Sequence, residues 1–227
     1  MSSDPLERPV WHALNGRQGA LVVATGAAVR IDPRYGPFAA AVDRSEEALG
    51  ALAATLAGSD DTIALVEAEP WPVPWTARVI RTGELLQMVC EEPDSGEPDP
   101  RIVRLDEADA PEMAELALAT EPGPWGSLTH RYGTFYGIRL DGRLAAMAGE
   151  RMLLPGLAEV SGVCTSPEFR GQGMAAALIR EVVRGFVARG DTPFLHSYAH
   201  NAGAIRLYEA LGFRATRPMH LTVLARA

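Results

Sequence analysis

The sequence predicts a mixed α/β (α+β) fold in which a mostly antiparallel sheet is flanked by helices. Three β-like runs are separated by the turn signals Asp141–Gly142 and Pro155–Gly156, which indicates an antiparallel meander. A helix at 173–189 then carries apolar residues along one side and charged residues along the other, as is typical of a helix that packs on a sheet. The three runs lie at 134–140, 144–152 and 158–165.

The remaining elements follow from hydrophobic periodicity and from turn-forming residues. Leu49, Leu52 and Leu56 predict a helix near 45–57, and Gly212 is expected to end the last helix. The prolines of the run EPWPVPW exclude a central strand or a helix interior there. Strands are predicted at 20–25, 28–31, 37–42, 62–67, 85–90, 101–105, 193–198 and 220–225, and further helices at 110–120 and 201–211.

A domain boundary is predicted at the acidic stretch EEPDSGEPDP, residues 91–100. This stretch is rich in Pro and Gly and has no hydrophobic periodicity, as is typical of an exposed linker. It separates an N-terminal lobe at 1–90 from a second domain at 101–227. The N-terminal lobe has the order strand, strand, strand, helix, strand, without a glycine-rich loop before its helix.

The composition limits the classes of partner. The chain has 227 residues and a net charge of −8, which argues against nucleic acid as a partner because phosphate binding needs clustered positive charge. No apolar run approaches the roughly 18 residues of a membrane span, and MSSDPLERPVW lacks a basic start with an apolar stretch, so a cytoplasmic protein without a membrane partner is expected. Cys90 and Cys164 have no partners at metal-ligand spacing, so neither a disulfide framework nor a metal site is predicted.

The segment VCTSPEFRGQGMAAALIREVV carries the clearest chemical signal. An apolar strand runs into a glycine-containing turn that opens an amphipathic helix. Unpaired amides at the helix start and the positive end of the helix dipole suit a pyrophosphate, and Gly171 and Gly173 allow close backbone approach. Arg170 adds a positive charge. The alternative is that the two glycines form only a tight strand-to-helix turn.

Two motifs together resemble those of the GCN5-related N-acetyltransferase (GNAT) superfamily. R-G-Q-G-M-A at 170–175 is followed by N-A-G-A-I-R-L-Y-E-A-L-G-F at 201–213. The family patterns are Q/R-x-x-G-x-G/A and N-x-x-A-x-x-x-Y-x-x-x-G-F. The local text AEVSGVCTSPEFRGQG is similar to the FR47-like and glycine N-acyltransferase-like branch. The resemblance implies the GNAT fold over 101–227. The N-terminal lobe resembles a partial second copy of this fold. Because it lacks a glycine-rich loop, we predict that it binds no cofactor, and we expect it to support the acceptor cleft.

The resemblance also implies a set of site residues. Tyr208 falls on the general acid of the family, and Glu159 on the glutamate that serves some members as general base. Trp125 and Tyr136 lie in or beside the loop where this fold admits the acceptor, and they are candidate acceptor contacts. The residues implied to bind acetyl-coenzyme A, without a metal, are Val163, Cys164, Thr165, Arg170, Gly171, Gln172, Gly173, Met174, Ala175, Asn201 and Ala204.

Structural alternatives accompany the individual assignments. Tyr208 would also suit an amphipathic core position, Glu159 a solvated strand face, and Asn201 a helix N-cap. His196 and His200 are interpreted as structural histidines, and Cys164 as a buried thiol and not a nucleophile.

The chemistry of acyl transfer is compatible with these residues. An alkyl amine has a pKa of about 10.4, so it needs a base or a water relay to become a nucleophile near pH 7. A tyrosine with a pKa near 10 can protonate a leaving thiolate whose thiol has a pKa near 8.5. We therefore predict an enzyme that moves an acetyl group from acetyl-coenzyme A to a primary amine of a small molecule or peptide, by direct attack in a ternary complex.

The rival hypothesis is a non-catalytic module that binds or senses acyl-coenzyme A. Such a module would retain the loop at 170–175 without needing Tyr208 or Glu159. Oligomeric state is left open between monomer and homodimer.

Overall fold

The structure, a computed structural model, describes residues 4–94 and 96–227. Residues 1–3 and Ser95, which fall in the predicted N-terminal lobe and linker, lie outside the described residues. The strands are β1 Val22–Ala24, β2 Ala28–Ile31, β3 Ala39–Ala41, β4 Thr62–Glu67, β5 Ala77–Val89, β6 Ile102–Leu105, β7 Phe135–Leu140, β8 Arg143–Leu154, β9 Leu157–Thr165, β10 Thr192–Tyr198 and β11 Arg214–Arg226. The α-helices are α1 Pro9–Leu14, α2 Glu46–Ala54, α3 Ala110–Thr120, α4 Met174–Ala188 and α5 Ala202–Ala210.

An eight-stranded sheet forms the centre of the fold, in the order β4-β11-β5-β10-β9-β8-β7-β6. Its neighbouring strands pair antiparallel, except for β9 and β10, which are parallel. The meander predicted at 134–165 corresponds to β7, β8 and β9. The predicted fold class, a mixed and mostly antiparallel sheet flanked by helices, is confirmed.

Helices cover both faces of this sheet. On one face, α4 buries Leu178, Val182 and Phe186 against strand residues such as Ala146 and Val160, and α5 packs against the same cluster. On the other face, α3 packs around Phe135 and Met147, and α1 covers a separate cluster that includes Met152 and Leu154. None of the helices in the described residues is long and apolar enough to span a membrane.

The N-terminal strands form a separate small sheet beside β4. β1, β2 and β3 pair antiparallel, and Phe38, directly before β3, forms an isolated parallel bridge with Ala64 in β4. The order β3–α2–β4 therefore repeats the strand–helix–strand order of β9–α4–β10. The assignment of this region to a degenerate second copy stays a prediction, and this shared order supports it.

The large sheet takes strands from both sides of the acidic stretch at 91–100. β5, which precedes the stretch, lies between β10 and β11, which follow it. Its residues 85–89 pair with β10, and all of its length pairs with β11. The regions before and after the predicted boundary thus share one sheet and its core.

Most predicted elements are present within a few residues of their expected bounds. β2, β4 and α3 have the predicted bounds. Sequence patterns missed α1 and the outer parts of two strands, residues 77–84 of β5 and 214–219 of β11. These parts are mostly exposed, so apolar and polar residues do not alternate there.

Candidate active site

The turn before α4 presents a row of free backbone amides. Gly171 and Gly173 have φ values of 80° and 73°, and Gly173 is the N-cap of α4 without a side-chain cap. Among the described residues, the amides from Gly171 to Ala176 have no hydrogen-bond acceptor. A Cβ on either glycine would meet nothing within 4 Å, so the positive φ and not crowding within the chain favours glycine there. This geometry fits a diphosphate, because the backbone N–H donors of the turn and the positive end of the α4 dipole lie at the same place.

The side chains of this turn have different surroundings. Arg170 is exposed, and its Nε donates to the carbonyl oxygen of Thr165 at 3.3 Å, which holds the guanidinium beside the turn. Gln172 is exposed, whereas Met174 is buried in the core under α4. Met174 and the half-buried Ala175 therefore contribute backbone amides to the turn and not side chains.

The parallel strands β9 and β10 separate shortly after they begin. Only three residues of each strand pair, ending at Phe194↔Glu159. From Val160 onward, β9 has no strand partner on that side within the described part of the chain. Gly162 and Val163 also form a bulge, because they lie opposite Ala148 alone, and Gly162 has a φ of 62°. The backbone edge of β9 is therefore available to pair with an extended ligand.

The side chains at the end of β9 do not all face this edge. Cys164 packs against α3, and burial raises the pKa of its thiol to about 11. The thiol thus stays protonated near neutral pH, in keeping with its interpretation as a structural residue. Val163 is half-buried and packs against the α4 cluster.

Helix α5 brings Asn201, Ala204 and Tyr208 to the same face of the sheet as α4. Asn201 Oδ1 accepts a hydrogen bond from the Ala204 amide at 3.2 Å, so its N-cap role is present in the structure. The ring of Tyr208 lies edge-on to Phe213 at 6.2 Å, and its hydroxyl has no hydrogen-bond partner among the described residues. Burial raises the pKa of Tyr208 to about 12, which keeps the phenol protonated.

Glu159 is fully buried and has its carboxylate oxygens occupied. Arg151 binds it in a fork, with Nε to Oε2 at 2.8 Å and Nη2 to Oε1 at 2.6 Å. His196 Nδ1 lies 2.7 Å from Oε1, and the Met152 amide donates to Oε2 at 3.3 Å. Burial alone would raise the pKa of Glu159, but Arg151 and His196 outweigh it and lower the pKa to about 2. These contacts do not support the predicted role of Glu159 as a general base, and they contradict the alternative of a solvated face.

A shallow cleft opens on the opposite face from α4. Trp125 lines it and packs edge-on against Phe135, at 5.6 Å between ring centroids. Arg151 and the β9 residues Ser161 and Gly162 contribute to its walls. Tyr136, by contrast, does not line the cleft: it is next to Phe135 on β7 and packs against the α4 cluster on the other face.

The N-terminal region holds one wall of this cleft. The Leu128 amide donates to Arg34 O at 2.8 Å, and Thr129 Oγ1 donates to Tyr35 O at 2.8 Å. Two residues of the predicted N-terminal lobe therefore fix the loop that carries Trp125.

Comparison with known proteins identifies the family. A protein from Novosphingobium aromaticivorans, assigned to the GNAT family of acetyltransferases, has a crystal structure with a TM-score of 0.94 and 59% sequence identity, covering 99% of this chain and 100% of the other. The chain belongs to the GNAT family. The FR47-like protein family model matches residues 135–220.

More distant relatives agree with this assignment. The ribosomal protein bS18-alanine N-acetyltransferase of Escherichia coli is 30% identical over 119 residues, which span 49% of this chain and 79% of the relative. A GCN5-related N-acetyltransferase from Kribbella flavida shares the fold, with a TM-score of 0.59 and 20% identity over 96% of this chain and 92% of that one. The chain is thus an N-acetyltransferase, and GNAT acetyltransferases use acetyl-coenzyme A as co-substrate.

Sequence reasoning missed the residues that surround Glu159 in this GNAT protein. Arg151 and Gln87 gave no signal, since an arginine or glutamine on a strand is usually solvated. Gln87 Nε2 lies 3.1 Å from His196 Nε2 and donates to Leu6 O at 2.8 Å, which places His196 in a buried polar network. Residues 4–94 and 96–227 contain no group of three or more His, Cys, Asp or Glu arranged to hold a metal ion.

Proposed function

We propose that this chain transfers an acetyl group from acetyl-coenzyme A to a primary amine of a small molecule or peptide, with both substrates bound together. The free amides of 171–176 carry this proposal, because they lie at a helix start that directly follows the open edge of β9. Bound acetyl-coenzyme A would supply an activated thioester. The amine nitrogen bonds to the acetyl carbon, the carbon–sulfur bond breaks, and an amide and a free thiol result.

The residues proposed to hold acetyl-coenzyme A fall into three groups. The amides of Gly171 to Ala175 and the charge of Arg170 suit the diphosphate. The open β9 edge at Val163, Cys164 and Thr165 suits the amide groups of the pantetheine arm, since an extended chain with amides can pair as a strand. Asn201 and Ala204, at the start of α5, are proposed as further contacts.

Tyr208 is proposed as the group that supplies a hydrogen to the leaving sulfur. Its hydroxyl is protonated at neutral pH, and no described residue competes for it. We do not propose Glu159 as the base that accepts a proton from the amine, because Arg151 and His196 hold its carboxylate. Glu150, a carboxylate that lines the cleft, is bound by Arg189 through two hydrogen bonds of 3.0 Å. Water in the cleft is therefore the proposed proton acceptor.

The proposal is tested by free thiol release from acetyl-coenzyme A across amino acids, polyamines, aminoglycosides and peptides. Release that depends on one class of amine, together with calorimetric binding of coenzyme A, is the expected result. Binding without release across the whole panel would favour a sensor. Absence of any coenzyme A binding would remove the proposed cofactor site.

A further inference from the structure

A bulge in β8 directs Arg151 towards the cleft. Arg151 and Met152 both lie opposite Glu159, because the pairing of β8 with β9 shifts between Glu150 and Leu153. Bulges of this kind re-aim side chains and are common beside active sites. Gln18 fixes the bulge, since its side chain donates to Arg151 O at 2.6 Å and accepts from the Leu153 amide at 3.2 Å.

The guanidinium of Arg151 is only partly used by the protein. Nε and Nη2 bind Glu159, while Nη1 has no acceptor among the described residues. A Cβ placed on Gly123, in the loop that lines the cleft, would lie 3.8 Å from Nη1. The unused nitrogen therefore faces the cleft, and 15% of the Arg151 side chain is exposed, whereas its partner Glu159 is fully buried.

The charge that the cleft presents to a ligand is positive. The two acidic side chains beside it, Glu150 and Glu159, are 5% and 0% exposed and are each held by an arginine fork. Among the described residues that line the cleft, Arg151 is thus the charged group that a ligand can reach, and an arginine keeps its charge at all ordinary pH values. Ser161 lines the same cleft, and its hydroxyl has no hydrogen-bond partner in the described part of the chain.

We propose that Arg151 Nη1 binds an anionic group of the acceptor, so that the acceptor is a small molecule with both an amine and a carboxylate. This inference rests on the proposed function, because it assigns the acceptor of that same site. Arginine suits a carboxylate because its planar N–H groups match the carboxylate oxygens. Glu159 holds the guanidinium in place beforehand, so little side-chain freedom is lost when the acceptor binds.

A peptide acceptor would meet Arg151 differently from a free amino acid. A polypeptide N-terminus would present a neutral peptide bond where a free amino acid presents a carboxylate. Acetylation of peptides in preference to amino acids is therefore the outcome that opposes the inference.

The experiment compares acceptors that differ only in the carboxylate. Suitable pairs are an amino acid with its amide, and 4-aminobutyrate with butylamine, which also varies the spacing between amine and anion. For the wild-type protein, we expect kcat/KM to be about 10- to 100-fold higher for the better-spaced acid than for its neutral partner, as for a charge-assisted hydrogen bond.

Two variants separate recognition from folding. The double variant Arg151→Gln/Glu159→Gln removes both charges, so no buried carboxylate is left unpaired, and Arg151→Lys keeps the charge but loses the fork. We expect the double variant to reduce the preference to below about 3-fold, mainly through a higher KM for the acid. The double variant Arg226→Gln/Glu115→Gln, at two exposed positions, serves as a charge-matched control that retains the preference.

Three results would overturn the inference. Equal use of acids and neutral amines, or of peptides, by the wild-type protein would remove the anion site while leaving the proposed function intact. If a folded double variant lost kcat/KM equally for the acid and the neutral member of each pair, Arg151 would have a purely structural role. No amine-dependent thiol release from the wild-type protein would overturn the proposed function and this inference together.

Discussion

Glu159 and His196 are joined across the point where two strands separate. The last backbone pair of β9 and β10 is Phe194↔Glu159, and His196, two residues further on, places Nδ1 2.7 Å from Glu159 Oε1. Gln87 Nε2 donates to the other ring nitrogen, so Nδ1 carries the hydrogen that Glu159 accepts. This contact holds the strands together at the start of the opening that the proposed cofactor arm enters.

Replacing Glu159 should therefore affect stability strongly. We expect Glu159→Gln to lower the free energy of unfolding by about 3–5 kcal/mol at pH 7, because Arg151 would keep a buried charge without its partner. Urea unfolding measures this change. Glu115→Gln, at an exposed position on α3, should change the free energy by less than about 0.5 kcal/mol. If Glu159→Gln lowered the free energy of unfolding by as little as Glu115→Gln, the structural role of Glu159 would be contradicted.

The same carboxylate should contribute to acid sensitivity. Its pKa is lowered from an ordinary value of 4.5 to about 2, so its contribution is present above pH 4.5 and is lost as the pH falls towards 2. Since one pKa unit corresponds to about 1.4 kcal/mol, we expect wild type to lose about 3 kcal/mol more than Glu159→Gln over this window. Urea unfolding of both proteins at several pH values measures this difference. If the free energies of unfolding of the two proteins fell in parallel with pH, the expectation would be contradicted.

Tyr208→Phe tests the proposed acid. We expect turnover to fall by about 10²-fold or more, with coenzyme A affinity nearly unchanged. The melting temperature should also be retained, because the lost hydroxyl has no hydrogen-bond partner among the described residues. Tyr136→Phe is the matched control, since Tyr136 packs against α4 away from the cleft, and its turnover should equal that of wild type. Equal turnover of both variants would exclude Tyr208 as the acid.

Alanine substitutions of two glycines at opposite ends of α4 distinguish an effect of backbone strain from an effect on ligand binding. Gly173 and Gly190 have φ values of 73° and 78°, and a Cβ on either would meet nothing within 4 Å. Alanine at either position should cost about 1 kcal/mol of stability. Only Gly173→Ala should also weaken coenzyme A binding, by about 10-fold or more in calorimetry, because it adds a methyl group beside the free amides. Equal affinities of the two variants would place the diphosphate elsewhere.

The pH dependence of the reaction should follow the acceptor. Glu159 and Glu150 are both held by arginines, so neither of these two carboxylates is free to act as a base. We expect kcat/KM to rise with pH through the pKa of the acceptor amine and to shift when an acceptor with a different amine pKa is used. A rising limb that stays at the same pH for all acceptors would indicate an enzyme group as the base.

Local patterns in the sequence predicted the strand-to-helix turn and α5 because both depend on neighbouring residues. Glycines at 171 and 173 indicate positive φ, and the spacing from Asn201 to Tyr208 places both on one helix. The surroundings of Glu159 could not be predicted in this way. They depend on Arg151 from a bulge and His196 from a strand beyond α4, and no local periodicity records a contact between them.

Local sequence patterns also could not predict the position of β5 in the sheet. Its neighbours, β10 and β11, lie more than a hundred residues further along the chain. A proline-rich acidic stretch following β5 resembles a linker by composition, whether it joins two domains or two strands of one sheet.

The position of β5 limits how far the gene for this protein can be shortened. A fragment that starts at Arg101 would include the whole FR47-like match but would lack the strand that joins β10 to β11. Such a fragment would expose the bare edges of both strands and would tend to aggregate. The most recognisable half of this polypeptide is therefore a poor starting point for expressing a minimal enzyme.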